Sequence, residues 1–152
     1  CVGEGPFVCE MLGEEAEELR KNGFEYGAKT GRPRRVGPID IVATKYGVEV
    51  QAATAIALTK LDVLSYMDKI PVCTKYLVDG KETDRFPFPV ALKNAQPVIE
   101  YFDGWKCDIT SARKWEDLPK EAQDYVLFVE KQIGCPIKYV SVGPERESIV
   151  IR

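Results

Sequence analysis

Ala55-Ile56-Ala57-Leu58-Thr59 is a short, mainly apolar run of five residues that empties into Lys60-Leu61-Asp62. Runs of this kind form buried strands in α/β sheets. Ligands of open α/β sheets bind just beyond the carboxyl ends of the strands, so Lys60 and Asp62 stand where such a ligand would be met. Upstream, Asp40 to about Ala53 carries apolar residues at Ile41, Val42, Val48 and Ala52, a spacing that predicts a helix in spite of Gly47. Downstream, Ile70–Val78 and Lys81–Phe88 flank Asp79-Gly80, a hairpin signal, and Pro87 and Pro89 end the second strand. Pro97–Phe102 reads as another strand, and an irregular segment with Trp105, Cys107 and Trp115 follows.

The flanks fit the same class. Asp117–Ile133 reads as a helix, with Pro119 near its start, Ala122, Tyr125, Val126, Val129 and Ile133 on one face, and Gly134 as its stop. Pro136–Ser141 and Ser148–Ile151 read as strands separated by a break at Gly143-Pro144. At the other end, residues 1–8 read as the tail of a strand entering a Gly/Pro turn. Gly13–Asn22 follows as a helix, with glutamates in its first turns, Arg20 and Lys21 at its end and Gly23 as the C′ residue. Glu14, Glu15, Glu17 and Glu18 read as a solvated helix face. The expectation is an open, mostly parallel α/β arrangement in one segment, 1–152, without repeats or an interdomain linker.

Composition bounds the function. The chain has 152 residues, 45% hydrophobic and 30% charged, as in ordinary globular proteins. No apolar run approaches the roughly 18 residues of a bilayer-spanning helix. A net charge of -3 argues against general nucleic-acid binding. Five scattered cysteines without a Cys-x-x-Cys suggest neither a zinc site nor a disulfide framework, and reduced cytosolic thiols are the default. With no histidine, a Ser-His-Asp or Cys-His catalytic unit cannot be assembled from this chain alone. The chain opens at Cys1-Val2-Gly3 without methionine, and a fragment of a longer polypeptide is expected.

Three stretches carry chemistry. Gly27-Ala28-Lys29-Thr30-Gly31-Arg32-Pro33-Arg34-Arg35 places four cations in nine residues, with glycines that bend the chain and a proline that fixes φ. Such a loop can present guanidinium forks to carboxylate or phosphate oxygens, although charge alone is equally consistent with a solvated basic turn. In Lys60-Leu61-Asp62, the carboxylate can accept from both the N1–H and the 2-amino group of guanine, a donor pair that adenine lacks, while the lysine stem lies along the base. Ser141-Val142-Gly143-Pro144 ends another strand and could line the same base, or be simply a turn. There is no phosphate-binding glycine loop and no cluster of metal-binding carboxylates.

Together these stretches resemble the C-terminal third of adenylosuccinate synthetases. The resemblance is carried by Val2-Gly3-x-Gly5-Pro6-Phe7, by Gly27–Arg35, by Leu58–Leu64 and by Ser141–Pro144, in the family's order and spacing. It implies the C-terminal part of an open-sheet, P-loop-like GTP-dependent carbon–nitrogen ligase with a β-hairpin near residues 70–88. The family joins IMP and L-aspartate at the expense of GTP, through 6-phosphoryl-IMP and with Mg²⁺, in de novo purine and AMP biosynthesis. By resemblance, Ala28, Lys29, Thr30, Gly31, Arg32, Pro33 and Arg34 form the loop that closes over L-aspartate. Arg32 and Val2 reach IMP, and Arg34, Lys60, Leu61, Asp62, Ser141, Val142 and Gly143 serve GTP.

Lys29 stands where the family usually has a second threonine. Glu4 and Val8-Cys9 replace the usual small residue and Pro-Thr. The family's phosphate loop, catalytic aspartate, histidine and Mg²⁺ ligands have no counterparts here, so no catalytic or metal-binding residue is assigned and the chain alone is not expected to be active. The resemblance further implies a cytoplasmic homodimer at full length, with no membrane or nucleic-acid partner. The rival reading is a non-catalytic module that binds a purine nucleotide or a partner.

Overall fold

A computed structural model describes residues 5–152. The strand tail expected over residues 1–8, and Val2, lie partly or wholly outside them. In chain order the elements are α1 (Gly13–Gly23), β1 (Ile39–Asp40), α2 (Ile41–Gln51), β2 (Ile56–Leu58), a 3₁₀ turn at Leu61–Tyr66, β3 (Lys69–Val78) and β4 (Lys81–Thr83). Then come α3 (Pro89–Leu92), β5 (Gln96–Asp103), a second 3₁₀ turn at Trp115–Asp117, α4 (Lys120–Ile133), β6 (Ile137–Ser141) and β7 (Ile149–Ile151). The architecture is mixed α/β. One sheet runs β1-β3-β4 with β5 also paired to β3, and the other runs β2-β6-β7. The pairs β1–β3 and β2–β6 are parallel, whereas β3–β4 and β6–β7 are antiparallel.

The chain divides into two compact units, one from residues up to Ala43 with Pro71–Glu100, the other from Thr44–Ile70 with Tyr101–Arg152. In the first, Cys9, Val42, Cys73, Tyr76 and Leu92 form a buried cluster bordered by Phe7, Val8, Phe86 and Ile99. Asp40 is built into it. Its carboxylate accepts the Tyr76 hydroxyl hydrogen and also the Ala43 amide (2.9 Å), which starts α2. The Asp79-Gly80 turn has both residues at positive φ (50° and 77°), as a two-residue hairpin with right-handed strand twist requires.

In the second unit, α4 buries the five positions its spacing selects: Ala122, Tyr125, Val126, Val129 and Ile133. Removing each of the Val126, Val129 and Ile133 side chains from water stabilises the fold by roughly 1.5–3 kcal/mol. Glu130 ties the helix to the sheet, accepting from the Ile137 amide (2.6 Å) and from Arg152 (2.8 Å). Gly134 ends α4 in the left-handed region, φ 67°.

Three elements differ from expectation. The helix α1 includes Gly23, and Phe24 takes the left-handed position instead (φ 52°). Strand β2 has three residues with Ala57 exposed, not a buried five-residue strand. The second hairpin strand stops at Thr83, short of Pro87, and Pro89 starts the short helix α3 rather than closing a longer strand.

Candidate functional site

The basic stretch folds as a tight hairpin. Tyr26 and Pro33 pair antiparallel. Backbone bonds close it from Gly27 N to Arg32 O (2.8 Å), from Gly31 N to Gly27 O (2.8 Å) and from Arg34 N to Glu25 O (2.9 Å). Gly31 supplies the positive φ (63°) at the tip. Residues 28–35 are all exposed.

The four cations have separate fates. Arg35 donates two bonds to Glu10 Oε2 (2.8 and 2.6 Å) and one to Gly5 O (2.6 Å), and lies over the Phe7 ring at 5.4 Å. Its hydrogen bond and charge hold the Glu10 carboxyl below its ordinary range. Arg34 pairs with Glu25 at 2.8 Å, and its carbonyl accepts from Arg20 Nε (2.8 Å). Lys29 and Arg32 have no side-chain partner among the described residues. Among the described residues the Thr30 hydroxyl accepts only from the Arg32 amide, at 3.4 Å. The hairpin therefore holds two guanidiniums fixed and leaves an ammonium and a guanidinium for solvent or a ligand.

Sequence reasoning missed what anchors this hairpin. Glu17 is not merely a solvated residue of α1. It accepts the Tyr26 hydroxyl hydrogen (2.9 Å) and pairs with Arg20 (2.8 Å), which lowers its carboxyl and raises the Tyr26 phenol. Glu10 and Glu25 hold Arg35 and Arg34 in the same way. The only signal in the sequence was the local excess of cations, which requires counter-charges from somewhere.

In the second unit, β2 and β6 run parallel with Leu58 opposite Val140. This register ends both strands at one sheet edge, so that Thr59-Lys60-Leu61-Asp62 and Ser141-Val142-Gly143 leave side by side. Lys60 adopts the left-handed region (φ 62°, ψ 34°) and turns the chain into the 3₁₀ segment. Leu61 is buried beneath it. Asp62 Oδ1 is buried and meets no hydrogen-bond donor among the described residues. An acceptor left this way costs about 1–3 kcal/mol, and a bound donor would recover it.

On the β6 side, Val142 is buried and its amide donates to Ser148 O (2.9 Å). The Ser141 hydroxyl donates to Gly143 O (3.0 Å), and Pro144 is exposed. Sequence-assigned Lys60, Leu61, Asp62, Ser141, Val142 and Gly143 thus share one edge, while Leu61 and Val142 contribute backbone and packing rather than side-chain contacts.

Metal-capable side chains come together at Cys9, Asp40 and Cys73, with their ligand atoms within 4.8 Å of one another. Two thiols and one carboxylate do not fit Mg²⁺, which takes oxygen ligands in an octahedron. The Cys9 thiol is also pushed well up, by its hydrogen bond to Cys73, by burial and by the Asp40 charge, so it stays protonated.

A sequence model of the family described as adenylosuccinate synthetase matches residues 1–150. The adenylosuccinate synthetase of Kineococcus radiotolerans is 48% identical over 152 residues, covering 99% of this chain and 36% of that protein. That of Fusobacterium nucleatum is 47% identical over 153 residues, again 99% of this chain and 36% of the relative. A structure of fully ligated adenylosuccinate synthetase from Plasmodium falciparum superposes with a TM-score of 0.93 at 36% identity, over 99% of this chain and 37% of that one. The chain spans about a third of the length of the curated relatives it matches. Similarity at this level along nearly its full length makes the chain a member of the adenylosuccinate synthetase family.

Proposed function

We propose that this chain supplies the guanine pocket and the L-aspartate loop of a GTP-dependent ligase that makes adenylosuccinate in purine biosynthesis. In that reaction the γ-phosphoryl group of GTP passes to O6 of IMP, leaving GDP. The aspartate amine then attacks C6, and phosphate departs with the oxygen. On this reading the catalytic groups and the Mg²⁺ ligands belong to parts of the longer protein outside this chain. The segment 1–152 is then the C-terminal segment of a cytoplasmic homodimer.

The observation that carries the proposal is the unpartnered Asp62 Oδ1 at the shared carboxyl edge of β2 and β6. Guanine offers N1–H and a 2-amino group to that carboxylate, and the Lys60 stem covers the ring. Ser141, Val142 and Gly143 line the other side. In the hairpin, Lys29 and Arg32 are the cations without a side-chain partner among the described residues, and a dicarboxylic substrate fits a clamp of an ammonium, a guanidinium and the Thr30 hydroxyl. Lys29 adds charge where the family's usual threonine would place a hydroxyl, which favours a dianion. On this reading Arg32 and Val2 bind IMP, and Arg34 binds GTP.

Asp62→Asn in the full-length protein tests the base-reading role. An amide at this position can donate to the 2-oxo group of xanthine and still accept from N1–H. Use of GTP should fall, and use of xanthosine triphosphate should rise, by on the order of ten- to a hundredfold in kcat/KM. Unchanged nucleotide preference would remove Asp62 from the base-reading role.

A further inference from the structure

The turn that carries Asp62 has little of its own to hold it. A 3₁₀ segment has poorer hydrogen-bond geometry than an α-helix, and this one follows a non-glycine residue in the left-handed region with no side-chain cap. A second segment, Gly104-Trp105-Lys106, grips it from behind. Gly104 N donates to Asp68 O at 2.9 Å. The Trp105 indole N–H donates to Ser65 Oγ at 2.8 Å. Lys106 Nζ donates to Tyr66 O at 3.0 Å and pairs with Asp68 at 3.0 Å.

The approach is close enough to demand glycine. A Cβ on Gly104 would stand 1.9 Å from Met67 O, which is backbone and cannot swing aside. Lys106 is itself in the left-handed region (φ 47°), so the chain bears local strain to keep its amine on the turn. Trp105 is buried, with its ring edge-on to Tyr125 of α4 at 6.2 Å. The indole thus couples the rigid helix α4 to the hydroxyl of Ser65, three residues beyond Asp62.

We infer that Trp105 is a positioning residue for base recognition, acting through the Ser65 hydroxyl to hold the Lys60–Asp62 turn against guanine. The inference rests on the reading of Asp62 as the guanine acceptor. A carboxylate accepting two parallel bonds must be placed to within a fraction of an ångström. The indole–hydroxyl bond adds a side-chain anchor to a turn that has no side-chain cap of its own.

The test uses full-length protein with Trp105→Phe, which keeps an aromatic ring against Tyr125 but deletes the N–H, and with Ser65→Ala, which deletes the acceptor and disturbs no packed ring. Each variant should raise the KM for GTP by about three- to tenfold, the loss of one buried hydrogen bond, while the KM values for aspartate and IMP stay within about twofold. Discrimination between GTP and xanthosine triphosphate should narrow. The double variant should be no worse than either single one, because both delete the same bond. Should Trp105→Phe fail to fold, Ser65→Ala carries the test. Equal changes in all three KM values, or an unchanged KM for GTP, would overturn the positioning role. Asp62→Asn assayed alongside separates the two claims. If it alters nucleotide preference while Trp105→Phe and Ser65→Ala leave GTP untouched, the brace fails and base reading survives. If Asp62→Asn alters nothing, base reading fails and the brace falls with it.

Discussion

Arg32 and Arg35 stand three positions apart in one basic hairpin, and their environments assign them opposite work. Arg35 is spent on the fold, with three hydrogen bonds and a ring beneath it. The backbone of Arg32 helps to close the hairpin, but its guanidinium meets no partner among the described residues. Arg35→Leu should therefore lower stability by about 1 kcal/mol, a value discounted for the partial exposure of the Glu10 pair. Arg32→Leu should leave thermal stability within about 0.5 kcal/mol yet raise the KM for aspartate about tenfold or more in the full-length enzyme. Arg34→Leu should raise the KM values for aspartate and GTP while that for IMP stays within about twofold. Thermal melts and three-substrate kinetics check the set, and equal KM effects for Arg34 would mark it as structural through Glu25. The sequence made the loop legible because charge and glycine content are local properties. It could not say which arginine was free, because Glu10 lies 25 residues from Arg35 and Glu25 lies 9 from Arg34. Ion pairing at that range is fixed by tertiary structure.

At the scale of elements, the buried face of α4 was legible because five apolar positions at helical spacing leave one solution for it, although the helix starts at Lys120 rather than at the expected Asp117, which lies in the preceding 3₁₀ turn. Val126 on that face is fully buried, and Val126→Ala should cost about 2 kcal/mol in transfer and cavity terms, read as a lower urea midpoint at constant m. The same pattern reading overstated β2. Ala55–Leu58 is apolar throughout, but among the described residues the strand is held on one side by β6 alone, with a register irregularity between Ile56 and Ala57, so only three residues pair. At the end of α1 the glycine signal was displaced by one residue. Gly23 is buried in the last turn and Phe24 bears the left-handed conformation, 84% exposed. Phe24 gains little from packing and is strained by its Cβ. Phe24→Gly should stabilise the chain by about 1 kcal/mol, a rise in melting temperature where glycine substitutions normally lower it.

For the whole molecule, the absence of histidine shapes the response to pH. The carboxyls of Glu10, Glu17, Asp108 and Asp117 are all lowered, by Arg35, by Tyr26 and Arg20, by the Thr110 amide and hydroxyl, and by the Arg113 and Lys114 amides respectively. Each contributes stability that is complete above its unfolded value, about 4, and is lost as acidification passes through the lower folded value. At the other end, burial raises the Tyr125 phenol. Burial and the Asp40 hydrogen bond raise Tyr76, and the Cys73 hydrogen bond and burial raise Cys9. A raised folded value reverses the sign. These groups contribute fully below their unfolded values, about 8.5 for the thiol and 10 for the phenols, and that contribution fades as alkalinity rises beyond them. Between the two arms the sequence holds no side chain that ordinarily titrates. The melting temperature of the 152-residue chain should accordingly be flat from about pH 5.5 to 8 and fall on both sides. Glu10→Gln should shrink the acid arm, and Tyr76→Phe should shrink the alkaline one. A step in stability between pH 6 and 7 would contradict this assignment of both arms, since no group identified in either one changes charge there.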